Sequence, residues 1–440
     1  MRILYCIPRY DKDAVGNLMH TEVIAHWNAL GHETHVASLS SRERHISTFE
    51  MDDITVHHIP TATTLFDKLV NRVLGWITGY PYLFGAWRGF RRLLSQQHYD
   101  LIHIETSFPL GLVVMQARHD RTPVAVTLPG ADVMAVPAFD YGYARNWFVR
   151  QAVRWVVANA DLVRADSRQI ATLVVSAYDA PAQHVVAIPY NITEPTYPPH
   201  GVDINTFRQT SRAHICSQHG WNPQATLILS LNRLHPFKGI EYLVEALPAL
   251  VSQGIDAHAV IVGGNRSTAK FGDYGAYLHQ RATALGVADR VHQIGGVPHH
   301  QAAEYMAGCD IAVIPSVAES FSRVVIEATA VGTPPVVTRT TGASDYVKDA
   351  DCGEVIEPQD AASLAAGVMR ALARHKTLQA RCPAFAEDFR ASKIADDLLA
   401  SYREHGYARR QSYTHNLLHC ISNQFDTGIG QCRADLFYVA

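Results

Sequence analysis

The sequence predicts an α/β protein made of two Rossmann-like domains that face each other across a cleft. Short apolar runs, typical of buried strands, alternate with helical patterns through the N-terminal half. The alternation starts again after Tyr190–Arg212, a stretch rich in proline and polar residues that we interpret as the linker. A chain of 440 residues also exceeds what one ordinary core holds, so two domains are expected.

The composition is that of an ordinary soluble globular protein, with 48% hydrophobic and 18% charged residues. The net charge of -3 provides no basic field of the kind that nucleic acid requires. Seven dispersed cysteines form no CxxC pair, which argues against a disulfide framework or a zinc site and for a reducing cytoplasm. No apolar run reaches about 18 residues, so no transmembrane helix is expected.

The N-terminal half opens with a strand at 2–7, a loop that contains Gly16, a helix at Leu18–Leu30 and a strand at Thr34–Ser38. This order is typical of a doubly wound α/β domain. Ligands of such sheets bind beyond the carboxyl ends of the strands, which puts Gly16 at the functional edge, although a plain turn also explains one glycine. The later strands of this half are expected at 54–57, 101–104, 124–127, 162–165 and 185–188.

The C-terminal half repeats the pattern without the common nucleotide-binding motifs. No GxGxxG follows a strand, and the nearest approach is Gly263-Gly264 after an apolar run. No GxxxxGK[ST] occurs either, so a dehydrogenase and a P-loop NTPase are both disfavoured. The strands of this half are expected at 226–231, 259–262, 291–294, 311–314 and 335–338, with helices that include Gly239–Gln253 and Gln301–Ala307.

One stretch, Pro315–Asp345, combines the features of a binding site. It lies between two predicted strands and contains the start of a helix, and Glu319 and Glu327 flank the junction of loop and helix. Taken alone, these glutamates are better explained as a turn cap and a solvated helix residue, because glutamate is mostly exposed.

The start of that helix would favour an anion. Ser320 or Ser322 can act as the N-cap, and the first backbone N–H groups of a helix lack intrahelical partners. Together with the positive end of the helix dipole they suit a phosphate, while the nearby carboxylates suit hydroxyl groups. A ligand with a diphosphate and sugar hydroxyls would satisfy both requirements.

Residues 64–97 interrupt the α/β pattern with two short helices divided by Gly79-Tyr80-Pro81. Both helices are rich in large apolar side chains and carry a positive bias. Basic amphipathic helices with Trp and Phe can lie on anionic membranes. Alternatively, the apolar sides pack on the domain and the cations are solvated. The cations are Lys68, Arg72, Arg88, Arg91 and Arg92.

Two stretches of the C-terminal half match known motifs. Residues 231–250, LNRLHPFKGIEYLVEALPAL, are similar to the motif GRLxxxKGxDxLIxA. The stretch from Glu319 is similar to ExFGxxxxEAxAxGxPVV, with Glu319 and Glu327 at its two glutamate positions. Through these motifs the sequence resembles the retaining GT-B glycosyltransferases of family 4. The resemblance covers roughly 1–405 and is most specific in 226–358. It implies the GT-B fold and transfer of a sugar from a nucleotide diphosphate sugar with retention, without an essential metal or other cofactor.

The resemblance also implies roles for individual residues. Arg233 and Lys238 would stabilise the negative charge of the leaving diphosphate, and Glu319 would hold hydroxyls of the donor sugar. Glu327 would accept the ribose hydroxyls. The three catalytic candidates are therefore Arg233, Lys238 and Glu319. The full set expected at the donor is Gly16, Arg233, Lys238, Gly263, Glu319, Ser320, Phe321, Ser322, Arg323, Val324 and Glu327.

Two loops depart from the family pattern. Where the family often has THGxD, this chain has Pro129 in place of His, so Asp132 alone is expected on the acceptor side. The FG that follows the first glutamate becomes Phe321-Ser322, followed by Arg323. A residue with a Cβ therefore replaces glycine there, which makes the loop less permissive, and Arg323 adds charge near the phosphate.

We therefore expect an N-terminal acceptor-side domain at 1–195, a nucleotide-sugar domain at 196–380, a helix that crosses back at 381–410 and a tail of unknown role at 411–440. The expected donor is a UDP, GDP or ADP sugar, and the acceptor a glycan or lipid-linked glycan. A nucleotide-sugar epimerase and a non-catalytic nucleotide-sugar-binding module are the alternatives. The expected location is the cytoplasm, with contact through 64–97 to the inner face of the membrane.

Overall fold

The computed structural model describes residues 1–11, 16–79, 83–265, 267 and 270–405, and these form two separate, mainly parallel sheets flanked by helices. The predicted α/β architecture with two Rossmann-like units is therefore confirmed. The exact domain boundaries stay predictions.

The first sheet has eight described strands in the order β3-β4-β2-β1-β5-β6-β7-β8. All neighbours pair in parallel except β3, which is antiparallel to β4. The strands are β1 (Arg2–Ile7), β2 (Glu33–Ser40), β3 (Ser47–Met51), β4 (Ile54–Pro60), β5 (Leu101–Glu105), β6 (Val124–Leu128), β7 (Leu162–Ala165) and β8 (Val185–Ala187).

Apolar cores cover both faces of this sheet. Phe90 and Val156 are fully buried on one face, and Trp27 and Tyr5 are buried on the other. The helices of this part are α1 (Asn17–Ala29), α2 (Leu65–Thr78), α3 (Leu83–Gln96), α4 (Leu112–Ala117), α5 (Trp147–Asn159) and α6 (Arg168–Tyr178).

The second sheet has six described parallel strands in the order β11-β10-β9-β12-β13-β14. Its central strands read as nearly continuous apolar runs because helices cover both faces. The strands are β9 (Thr226–Leu231), β10 (Ala257–Val262), β11 (Val291–Gly295), β12 (Ile311–Ile314), β13 (Pro335–Thr338) and β14 (Glu354–Ile356).

Eight named helices accompany the second sheet, and a further helix, α15, spans residues 391–405. They are α7 (Ile204–His219), α8 (Ile240–Ser252), α9 (Tyr274–Ala284), α10 (His299–Gly308), α11 (Arg323–Ala330), α12 (Ser344–Ala350), α13 (Ala361–Ala373) and α14 (His375–Glu387).

Four features differ from the sequence prediction, and the first three are β3, β14 and the start of α7. Strands β3 and β14 were not predicted, because both are short edge strands and β3 is mostly exposed, without an apolar run. Helix α7 begins at Ile204, inside the predicted linker. Asp203 caps it by accepting hydrogen bonds from the N–H groups of Asn205 and Thr206, both at 3.0 Å.

As far as residue 405, the helix expected at 381–410 is instead two helices, α14 and α15, separated by residues 388–390. The Phe389 carbonyl accepts a hydrogen bond from the Ile192 N–H at 2.8 Å, so the backbone pairs with the linker instead of continuing the helix. Helix α15 then packs on the first sheet, where the Trp27 indole N–H donates to the Ala395 carbonyl at 3.0 Å. The predicted tail at 411–440 lies outside the described residues.

The carboxyl-end loops of the two sheets touch each other. The Ser320 hydroxyl donates to the Pro129 carbonyl at 3.0 Å, and the Gln169 amide donates to the Arg339 carbonyl at 3.0 Å. Tyr141 also stacks on Phe237, with ring centroids 4.5 Å apart. These contacts bring together the sheet edges at which α/β proteins bind ligands.

Candidate active site

Lys238 and Glu319 form an ion pair at the carboxyl edge of the second sheet, between Lys238 Nζ and Glu319 Oε2. Only 12% and 13% of the two side chains are exposed. Lys238 ends the short turn that follows β9, and the chain there bends through Gly239 at φ 66°. A Cβ at Gly239 would lie 2.1 Å from the Pro315 carbonyl oxygen, so the close approach of this turn to the loop after β12 requires glycine.

The backbone on either side of Glu319 is fixed by the loop after β13. The Glu319 N–H donates to the Thr340 carbonyl at 3.1 Å, and the Glu319 carbonyl accepts from the Gly342 N–H at 3.0 Å. The Phe321 carbonyl accepts from the Ala343 N–H, also at 3.0 Å. The carboxylate of Glu319 is therefore held by two strand ends before any ligand contact is made.

Helix α11 begins without the predicted side-chain cap. Ser322 precedes the helix at φ 77° and makes no capping hydrogen bond, and Ser320 directs its hydroxyl to Pro129. The expected capping role of Ser320 or Ser322 is therefore wrong, because the left-handed backbone at Ser322 turns its side chain away from the first helical turn. The N–H groups of Ser322, Arg323 and Val324 have no partner among the described residues.

Arg323 and Glu327 pair with each other one turn apart on α11. Arg323 Nη2 donates to Glu327 Oε1 at 2.6 Å, and Arg323 Nη1 lies 3.2 Å from the Met19 sulfur. Met19 belongs to the first turn of α1, which begins after Gly16 at φ 97°. The predicted Gly16 loop end and the predicted phosphate-binding helix start are thus brought together across the two domains.

Arg233 and Gly263 lie at the ends of the neighbouring strands β9 and β10. Arg233 is exposed, and a Cβ at Gly263 would lie 1.7 Å from the Asn232 carbonyl oxygen. Glycine is therefore needed for the β10 loop to pass directly beside Arg233. Burial raises the pKa of Tyr141, with the charge of Glu319 adding to this and that of Arg233 opposing it, so Arg233 lies near the domain contact.

Two buried aspartates face the C-terminal loops from the first sheet. Asp132 Oδ2 accepts from the Ser107 N–H at 2.7 Å and the Ser107 hydroxyl at 2.5 Å, while its Oδ1 has no partner in the described part of the chain. Asp166, directly after β7, also has an unpartnered buried Oδ1. Burial raises the pKa of Asp132, and burial with the charges of Glu319 and Asp132 raises the pKa of Asp166 to about 8.

Sequence reasoning missed Asp166. The available signal was a carboxylate directly after the predicted strand Leu162–Ala165, at the edge where ligands bind. A polar residue after a strand is common, however. Only the fold reveals that Ser320, from the second domain, lies within hydrogen-bonding distance of Asp166. The acceptor-side expectation for Asp132 stays a prediction.

A second group that sequence reasoning missed surrounds Glu105, at the carboxyl end of β5. Its carboxylate accepts from the Tyr5 hydroxyl at 2.5 Å and the Tyr190 hydroxyl at 2.7 Å, and contacts His103 Nε2 at 3.0 Å. Burial raises the pKa of Glu105, but His103, His20 and Arg164 bring it well below the usual range. Because its oxygens are satisfied, this network is a packed support for the sheet edge and not an open site.

No group of three or more His, Cys, Asp or Glu side chains that could hold a metal ion occurs among the described residues. Within the same residues, no helix is both long and apolar enough to cross a membrane.

Two family models match the chain in tandem. The model described as "Glycosyl transferases group 1" matches residues 211–387, and that described as "Glycosyl transferase 4-like domain" matches 19–191. The matches fall on the second and first sheets respectively, and the 211–387 match contains every C-terminal site residue discussed above.

Curated relatives are named D-inositol 3-phosphate glycosyltransferases. The protein of Geodermatophilus obscurus is 30% identical over 69% of this chain and 66% of its own length. That of Catenulispora acidiphila is 28% identical over 80% of this chain and 81% of its own. For six further relatives with this activity in their names, the aligned part covers 49% to 66% of the relative.

Solved structures share the fold at low identity. Sucrose-phosphate synthase from Thermosynechococcus elongatus aligns with a TM-score of 0.71 at 20% identity, over 92% of this chain and 99% of that one. HepE of Anabaena, solved in complex with UDP, aligns with a TM-score of 0.68 at 20% identity, over 92% of this chain and all of that one.

Proposed function

The chain belongs to the group 1 glycosyltransferases with the GT-B fold, and we propose that it moves a sugar from a nucleotide diphosphate sugar to a glycan or lipid-linked glycan acceptor with retention of configuration. The observation that carries the proposal is the ion pair of Lys238 and Glu319 beside the unpartnered N–H groups that begin α11. The cation follows β9, whereas the carboxylate and the helix start both follow the neighbouring strand β12, and all three meet at one place. That arrangement suits a ligand with both a diphosphate and sugar hydroxyls.

The proposed chemistry depends on charge exchange within this cluster. As the bond to the leaving diphosphate breaks, its negative charge would be stabilised by Lys238, Arg233 and the N–H groups at 321–324. Glu319, released from Lys238, would then accept hydrogen bonds from hydroxyls of the donor sugar. Positive side chains would take the role that a metal ion has in other transferases, so no cofactor is proposed.

Glu327 is proposed to hold the ribose. Its Oε1 pairs with Arg323, which leaves Oε2 for a ribose hydroxyl, while Arg323 lies one residue from the proposed phosphate contact. On the acceptor side we propose Asp132. The names of the relatives add a phosphorylated cyclitol to the acceptors that should be tested.

We propose that the enzyme works in the cytoplasm with peripheral contact to a membrane. The described cysteines are all free and buried, which suits a reducing compartment. Helix α2 exposes large apolar side chains, which suits contact with a lipid-linked acceptor.

A thermal-shift panel of UDP, GDP and ADP sugars tests the donor proposal. A nucleotide sugar that binds the folded state raises the melting temperature, so one series should raise it clearly more than the others. Lys238→Ala should abolish that shift and reduce turnover by about 100-fold, because a cation aimed at the leaving group is lost. Lys393→Ala removes an exposed lysine on α15 and should change neither.

Assays with the same nucleotide sugars distinguish the proposed transferase from the two alternatives. Formation of an epimer from one nucleotide sugar without acceptor would favour the epimerase. A thermal shift without turnover on glycan, lipid-linked or cyclitol phosphate acceptors would favour a binding module. Retention is read from the anomeric configuration of the product by NMR. Unchanged turnover in Lys238→Ala would contradict the proposed site.

A further inference from the structure

Helix α2 exposes large apolar side chains and buries the polar side chains of Asp67 and Asn71. Trp76 is 89% exposed and Leu65 is 84% exposed, and three further apolar side chains between them are at least half exposed. Their spacing puts them on one side of the helix. The exposed set is Leu65, Phe66, Leu69, Val73 and Trp76, and we refer to it as the α2 apolar stripe.

The polar side of α2 is anchored to the domain. Asp67 is fully buried and accepts from the N–H groups of Thr63 and Thr64 at 2.8 and 3.0 Å, and from Arg88 Nη1 at 2.5 Å. The Asn71 side chain donates to the Thr61 carbonyl at 2.9 Å. A surface helix normally buries its apolar side. In α2, the hydrogen bonds of Asp67 and Asn71 fix the helix so that the apolar stripe faces outward, which marks it as a candidate interaction surface.

Helix α3 has the normal arrangement, although its composition is similar. Phe90 and Leu93 are buried in the first core, while Arg91 and Arg92 are exposed. Of the two helices that the sequence offered for membrane contact, only α2 therefore presents an apolar surface. Arg88 is also removed from the candidate cations, because it neutralises the buried Asp67.

A cavity of about 390 Å³ borders the α2 apolar stripe. Lys68 and Arg72, one helical turn apart, line it together with Thr61, Ala62 and Asn71. Both cations are exposed, and neither has a hydrogen bond or ion pair with any described residue. Gly75 and Gly79 on the same edge leave the cavity open. An ammonium and a guanidinium beside an open cavity suit a phosphate group.

The exposed surface continues beyond α2. The Asn146 amide lies 3.5 Å from the Thr78 carbonyl, which joins the start of α5 to the end of α2. Trp147, the next residue, is 66% exposed. Exposed Trp side chains beside an apolar stripe are typical of proteins that sit at the level of lipid headgroups.

We propose that the α2 apolar stripe inserts into the interfacial layer of an anionic phospholipid bilayer, and that Lys68 and Arg72 bind the phosphate of a lipid headgroup in the adjoining cavity. This deepens the membrane contact proposed above. It does not depend on the donor site. A second copy of the chain is the less suitable occupant, because symmetric pairing of two stripes would bring their bordering cations together without a counter-charge.

Flotation of the full chain with vesicles tests the proposal. Vesicles of phosphatidylcholine and phosphatidylglycerol should carry the protein, and vesicles of phosphatidylcholine alone should carry much less. Lys68→Gln/Arg72→Gln should lower binding to the anionic vesicles about 30-fold, as expected for two cations at the lipid surface. The matched control, Arg91→Gln/Arg92→Gln, removes the same charge from α3 and should change binding by less than about threefold.

The apolar part is tested by Leu69→Ser/Trp76→Ser, which should abolish flotation without lowering the melting temperature, because both side chains are exposed. Undiminished flotation of this variant would overturn the insertion. Equal losses in the two charge pairs would show diffuse attraction and overturn the headgroup site. Equal displacement of the protein by inorganic phosphate and by chloride at the same ionic strength would also overturn it, because a site for headgroup phosphate is competed more strongly by phosphate. If the native chain bound no vesicles but associated with itself, and Leu69→Ser/Trp76→Ser abolished that association, the stripe would be an interface with a second copy. The nucleotide-sugar thermal shift reports the donor site independently throughout.

Discussion

The two faces that meet between the domains neutralise their carboxylates in different ways. On the C-terminal face each glutamate has a cation: Lys238 for Glu319 and Arg323 for Glu327. On the N-terminal face Asp132 and Asp166 are buried without an ion pair among the described residues, and each retains an oxygen without a hydrogen bond. The C-terminal face thus holds paired charges, whereas burial raises the pKa of both carboxyl groups on the N-terminal face.

The difference indicates what each face can do when a ligand arrives. A paired carboxylate and cation can each exchange its partner for a ligand group, the cation for a phosphate and the carboxylate for a hydroxyl. A protonated, buried carboxyl offers a neutral donor and changes charge only when the pH or its neighbours change. We therefore expect the C-terminal face to respond most strongly to loss of a partner, and the N-terminal face to respond to pH.

The largest effect should come from breaking the Lys238–Glu319 pair. Lys238→Met leaves the Glu319 carboxylate buried without a cation, which should cost on the order of 3 kcal/mol of unfolding free energy. Lys238→Met/Glu319→Gln removes both charges and should recover more than half of that loss. Urea unfolding of the two single variants and the double variant measures the coupling.

Donor turnover should stay low in the double variant even where stability returns, since both catalytic candidates are gone. If the double variant were less stable than Lys238→Met, the pair would not be the source of the loss. Additive effects would mean that the two charges do not interact, and the proposed contrast between the faces would be lost.

An intermediate effect is expected at Asp166, and its sign depends on pH. The folded-state pKa of about 8 lies above the ordinary value of 3.8, so the contribution of this group to stability is complete below about pH 4 and is lost as the pH rises towards 8. Asp166→Asn has no proton to lose. It should therefore unfold near the native temperature at pH 4 and on the order of 5 °C above it at pH 8.

Asp203→Asn is the matched control for that comparison. Asp203 is an exposed helix cap, and asparagine caps equally well, so its melting temperature should follow the native curve at both pH values. A gain of the same size in Asp203→Asn would assign the effect to net charge. Equal melting temperatures of Asp166→Asn and the native chain at pH 8 would show that Asp166 is ionised without cost.

The sequence predicted the C-terminal face better than the N-terminal face for physical reasons. Lys238 and Glu319 follow strand ends and Glu327 lies in α11, within a region where motif spacing and apolar runs determine one topology. Their convergence follows from the parallel sheet. The mutual pairing of these charges does not follow from it, because ion pairing depends on side-chain positions that spacing does not define. The role of Asp166 likewise depends on Ser320 from the other domain.

The two helices at 64–97 show the same limit. Composition and periodicity marked both as amphipathic and basic, but not which side each would bury. Asp67 and Asn71 decide this for α2 by bonding to the turn at Thr61–Thr64, and a contact with a loop is not visible in helical periodicity. Strand β3 was missed for a similar reason. A polar edge strand has no apolar run of its own and is defined by its pairing with β4.

The smallest predicted effect lies at Ser322, where the C-terminal face carries backbone strain. A residue with a Cβ at φ 77° costs on the order of 1 kcal/mol, and the hydroxyl of Ser322 makes no capping bond that would offset it. Ser322→Gly should therefore raise the unfolding free energy by about 0.5 kcal/mol, after allowance for the greater freedom of glycine in the unfolded chain.

Ser320→Gly is the matched control and should lower stability, because it loses the bond to the Pro129 carbonyl. If Ser322→Gly destabilised the chain as Ser320→Gly does, the left-handed backbone would carry no strain, and the departure from the family's glycine would have another cause. If it stabilised the chain while weakening the nucleotide-sugar thermal shift, the strain would instead hold the N–H groups of α11 in the position the diphosphate needs.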